Sequence, residues 1–139
     1  MIEPAPDRDF NLLYGQASDL LKNLPEFQFK TIAAVVVIIG WLVTSEGART
    51  FVRSVADIAV PANTIAFVLL FIFKVIWIVG YYRRLRSVYR RLVGLAPAVG
   101  VSQETLAVFD LSPVLPVTYV VMNGILCAAA VTVVWLIGR

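Results

Sequence analysis

Residues 117–138 read VTYVVMNGILCAAAVTVVWLIG, 22 positions without a charged side chain. A helix needs about 20 mostly apolar residues to cross the ~30 Å hydrocarbon core of a bilayer. Toward the N-terminus, residues 65–82, IAFVLLFIFKVIWIVGYY, form a second such run, interrupted by one charge, Lys74. A third, residues 31–44, TIAAVVVIIGWLVT, is short. Phe27 and Phe29 lengthen it and Lys30 can snorkel to the interface, which sets that span at 27–44. The spacing predicts an all-α membrane protein with three transmembrane helices, at about 27–44, 65–82 and 117–138. Composition agrees. The chain has 139 residues, 60% hydrophobic and 15% charged, against about 45–50% apolar and about 25% charged in soluble domains. So small a chain cannot hide three such segments in one soluble core.

The same composition excludes whole classes of chemistry. There is no histidine and only one cysteine. The commonest general base, an internal disulfide and a thiolate zinc site are therefore missing. No nucleotide loop, metal cluster or nucleophile–base pair is present, so the chain reads as a non-enzyme, and the sequence leaves any cofactor unknown. Every acidic residue lies outside the expected spans, which removes a carboxylate proton relay. The first 26 residues are polar and carry Glu3, Asp7, Asp9, Asp19 and Glu26. That is the wrong chemistry for a cleaved leader, so the first apolar segment is expected to stay in the mature chain.

Charge near the spans sets orientation. Arg83, Arg84, Arg86, Arg90 and Arg91 follow the second span, whereas the connection 45–63 holds Arg49 and Arg53 offset by Glu46 and Asp57. The positive-inside rule places the arginine side in the cytoplasm. An inner, cytoplasmic-type membrane with N-terminus in and C-terminus out follows. Residues 1–26 then form a cytoplasmic arm, and 27–139 the transmembrane domain.

Within the arm, Phe10, Leu13, Tyr14, Ala17, Leu20, Leu21 and Leu24 recur at three- and four-residue steps, which predicts an amphipathic helix over 7–24. Asp7 or Asp9 would cap it and Pro25 would end it. Its polar face is not basic, so lying on headgroups and docking on a partner are both open. After the second span a basic helical extension is expected, with Leu85, Val88, Tyr89 and Leu92 as its apolar stripe and the five arginines contacting anionic lipid headgroups or an acidic partner. No aromatic interleaving or binding motif points to nucleic acid. Ala96–Pro97 and Gly100 are expected to break this helix, Ser102 to cap a short one, and Ser112–Pro113 to start the third span. Pro61 and Asn63 punctuate the approach to the second span.

Lys74 is the one ionisable side chain deep in a span, about 13–15 Å from either end at 1.5 Å per residue. A central lysine costs roughly 2.5–3.5 kcal/mol on insertion. The twelve Ile, Leu, Val and Phe residues around it return about 4–7, so insertion proceeds. Such a charge is by default a functional-site candidate with a partner to be named. Trp77 and Tyr81 share its helix face and offer cation–π contact, and Asn123 is the best internal acceptor. Gly124, Ala128 and Thr132 recur every four residues as a helix-packing face, and Gly40 with Thr44 repeats it in brief. Two functions follow. The first is a small integral subunit or accessory factor of a larger inner-membrane complex, its partners being other membrane subunits or copies of itself. The second is a homo-oligomeric pore or holin-like effector with Lys74 facing the pathway.

Overall fold

The computed structural model describes residues 5–139. Residues 1–4 of the expected arm, with Glu3, lie outside the described residues. All regular structure among them is helical. Helix α1 spans Ala5–Thr44, α2 Glu46–Ser54, α3 Ala56–Val99, α4 Gln103–Leu106, and α5 Val114–Gly138; a 3-10 turn, Ala107–Phe109, follows α4. Three helices are long and apolar enough to cross a membrane, which fits a multi-pass membrane protein. Helices α1 and α3 have 40 and 44 residues, about 60 and 66 Å at 1.5 Å per residue. Each is twice the thickness of a bilayer core, so each carries a long segment beyond it.

Pro25 does not end a helix. It lies inside α1, which runs unbroken across the expected boundary at residue 26. A mid-helix proline costs about 3 kcal/mol. Burial on both sides offsets it: Ala17, Leu20 and Leu24 before it and Gln28 and Val35 after it lie on one seam facing α3 and α5. The face over 7–24 takes neither of its expected places. Phe10, Ala17 and Leu20 pack on the chain's own Leu85, Val88, Leu92 and Ala96, closed off by Leu106 and Phe109. Asp7 and Asp9 fall inside the first two turns of α1, where negative charge is favoured, and neither is the cap. Glu26 and Lys30 pair across one exposed turn at 2.7 Å; the lysine, by hydrogen bond and charge, holds the Glu26 carboxyl below its ordinary range.

Gly100, not Pro97, terminates α3. It adopts φ 71° and its N–H bonds Ala96 O, the left-handed closure that glycine allows without a Cβ clash. Ser102 caps α4 as its sequence predicts, accepting from Thr105 N. Ser112 Oγ accepts from Val114 N at the start of α5. At the opposite end the expected loop 45–63 is largely helical. Ser45 caps α2 through Ala48 N, Ala48 and Val52 are buried, and Arg53 Nε donates to Ile137 O at 3.2 Å, where α5 ends. Pro61 and Asn63 lie inside α3.

Contacts between helices fix their register. Leu20 and Phe27 of α1 meet Tyr81 and Trp77 of α3. On α5, Gly124 abuts Phe71, and Gly138 sits against Val60 and Ala56. Spans 27–44 and 117–138 therefore both lie level with α3 from Trp77 back to its start.

Candidate functional site

Where α1, α3 and α5 meet, a polar layer crosses the apolar interior. It consists of Gln28, Lys74 and Asn123, which are 2%, 4% and 4% exposed, with Thr31 beside them. Periodicity puts them there. Lys74 precedes Ile78, Leu85, Val88 and Leu92 on the buried stripe of α3, and Asn123 precedes Ala130, Val134 and Ile137 on that of α5.

The lysine has partners within the chain. Its Nζ donates to Thr31 Oγ1 at 2.6 Å and lies 3.9 Å above the centroid of the Phe27 ring. Thr31 Oγ1 in turn donates to Phe27 O. Trp77, the expected cation–π partner, is further, at 5.8 Å. Tyr81 is not part of the ammonium's shell. It stacks on Trp77 at 4.8 Å and Trp77 on Phe27 at 4.3 Å, an aromatic ladder with the lysine at its deep end. The Tyr81 hydroxyl donates to Leu20 O at 2.8 Å. Helical side chains lean toward their helix N-terminus. Accordingly the ammonium points to Thr31, one turn beyond Phe27, and away from the arginines.

Asn123 is not the acceptor for Lys74. Its Nδ2 donates to Gln28 Oε1 at 3.0 Å and to Tyr119 O at 2.7 Å. Gln28 Nε2 is buried without a partner, a burden of roughly 1–3 kcal/mol. Gln28 and Thr31 are the members of this layer that sequence reasoning missed. Their signal was their spacing: they continue the stripe of Ala17, Leu20 and Leu24 at three- and four-residue steps.

No family model, curated protein or solved structure matches this chain. Its chemistry must be read from its own surfaces.

The expected helix-packing residues divide. Gly124 touches Phe71 within the chain, at 3.4 Å from where a Cβ would stand. Ala128 and Thr132 are exposed. With Gly124, Cys127 and Val131 of α5, and Thr64, Phe67, Val68 and Phe71 of α3, they line an open groove of about 350 Å³. The face of α5 that packs inside the chain, Asn123–Ala130–Val134–Ile137, is offset from the small-residue face. Gly40 meets nothing within 4 Å, and Thr44 only bonds back to Gly40 O, so this pair joins no helix contact. Arg83, Arg84, Arg86, Arg90 and Arg91 are all exposed. Among the described residues no carboxylate forms an ion pair with any of them, the single such pair being Lys30–Glu26.

Proposed function

We propose that this chain is a small integral subunit or accessory factor of a larger inner-membrane complex, with its arginine end in the cytoplasm. The observation that carries the reading is the open small-residue face of α5. Small residues in membrane helices let a second backbone approach closely. Here Ala128 and Thr132 lie in a groove that no helix of the chain fills. A helix of another subunit is the complementary occupant. A second groove, between Leu12 and Leu13 of α1 and Gly94 and Leu95 of α3, supports the same role. It stands three turns beyond Arg83. The pore alternative requires Lys74 to face a pathway between copies, yet its ammonium is turned inward onto Thr31 and Phe27.

The test is affinity purification of the tagged full chain from its native membrane in a mild neutral detergent, with Ala128→Leu and Thr132→Leu beside the wild type. The expected result is one or more membrane proteins retained by the wild type and lost from either variant, with unchanged helicity. A wild-type chain that migrates alone as a monomer refutes the reading. Orientation is checked separately by single-cysteine labelling in a Cys127→Ala background. Position 90 should react from the cytoplasmic side and position 51 from the opposite side.

A further inference from the structure

A groove of about 390 Å³ runs between α3 and α5 on the membrane-facing surface, within the ~300–1,000 Å³ range of small-molecule sites. Its walls are Val79 and Tyr82 on α3 and Val117, Val120 and Val121 on α5, and its mouth is Arg83 and Arg86. Both guanidinium groups are exposed and neither forms an ion pair among the described residues, although Asp110 lines a small cavity beside Arg86. The arrangement has two chemically distinct halves in a fixed order. The aliphatic part lies on the bilayer side, level with the apolar layer. The cationic part sits directly beyond it, where the Tyr82 hydroxyl ties α3 to the connection before α5 by donating to Leu111 O at 3.3 Å.

We infer that this groove is a binding site for one anionic phospholipid, its phosphate held by Arg83 and Arg86 and an acyl chain lying along the valines. The planar guanidinium fork matches phosphate oxygens, and two cations at one mouth favour a net-anionic headgroup over a zwitterionic one, whose phosphate is accompanied by an ammonium. The apolar slot below distinguishes a lipid from free phosphate. The arginine cluster continues along α3 through Ser87 to Arg90 and Arg91, but those side chains leave the apolar wall behind. The site is thus a defined pocket within a broader basic surface. It rests on the reading that this end of the protein lies at a leaflet's headgroups, which the cysteine labelling above tests independently.

Native mass spectrometry of the delipidated full chain in neutral detergent, titrated with phosphatidylglycerol, counts the bound lipid directly. One molecule is expected to bind more tightly than the rest and more tightly than phosphatidylcholine. Arg83→Gln with Arg86→Gln should weaken it roughly tenfold or more. Val121→Trp, which keeps every arginine and replaces an exposed side chain, should weaken it similarly by filling the slot. Arg90→Gln with Arg91→Gln should leave it within about twofold, and inorganic phosphate should not displace it. Equal losses from both arginine pairs, no effect of Val121→Trp, equal binding of phosphatidylcholine, or displacement by phosphate would each overturn the inference. Partner capture plays no part in this measurement, so its failure is separate from failure of the subunit reading.

Discussion

Replacing Thr31 by valine in two backgrounds, wild type and Lys74→Met, isolates the contact that makes an intramembrane lysine tolerable. The hydroxyl of Thr31 has two bonds: it accepts from Lys74 Nζ at 2.6 Å and donates to Phe27 O at 3.0 Å. A hydrogen bond to a charged group is worth about 1.5–3 kcal/mol, so Thr31→Val in the wild type loses that amount plus the smaller local bond. In the Lys74→Met background only the local bond is lost. The coupling between the positions should therefore be about 1.5–3 kcal/mol. Lys74→Met alone should be mild. It forfeits the hydrogen bond and about 2 kcal/mol of desolvated cation–π attraction to Phe27. It also removes the roughly 2.5–3.5 kcal/mol burden of a lysine in the bilayer, leaving a net cost of about 0–2.5 kcal/mol. Reversible unfolding in mixed micelles, followed by tryptophan fluorescence, reads all four corners of the cycle. A coupling below about 0.5 kcal/mol, with Thr31→Val equally costly in both backgrounds, would refute the argument that Thr31 holds the ammonium.

Other consequences are equally direct. Asn123→Leu leaves the buried Gln28 Oε1 unpaired as well as its Nε2 and should destabilise by about 1–3 kcal/mol, whereas Asn123→Leu with Gln28→Leu should return to wild-type stability or exceed it in the same unfolding assay. Leu92 of α3 is fully buried in the cluster that α1 closes with Phe10, Ala17 and Leu20. Leu92→Ala should cost about 2–5 kcal/mol and abolish hydrogen-exchange protection of residues 7–20 while the spans stay protected. Arg53→Ala frees the Ile137 carbonyl at the negative end of α5 and should cost about 1 kcal/mol, with fraying of the last turn of α5 visible in hydrogen exchange.

Much of the architecture was legible because it is local. The apolar runs, the Ser102 cap and the placing of Trp77 and Tyr81 on the face of Lys74 depend on residues within a few positions of each other. The misreadings share one cause. Pro25, Pro61 and Pro97 all look like helix ends when each is weighed against its neighbours in the chain, yet all lie inside helices. Pro25 is held in α1 by burial of Leu24 and Gln28 on a different helix, which no local rule registers. The periodic face of residues 7–24 was recognisable, but its occupant was not: an apolar stripe fits headgroups, a foreign protein or its own chain alike.

Hydropathy and charge order alone establish that three helices are long and apolar enough for a bilayer, that five cations follow the second apolar run, and that one lysine interrupts that run. These properties follow from hydropathy and a 3.6-residue repeat. Tertiary structure alone decided that Lys74 meets Thr31, 43 positions away, that Asn123 meets Gln28, 95 positions away, and that the small-residue face of α5 stays open. Those outcomes depend on the axial register and rotation of one helix against another. Register is set by how many side chains interdigitate at once across the interface, a sum over distant residues that no single segment contains.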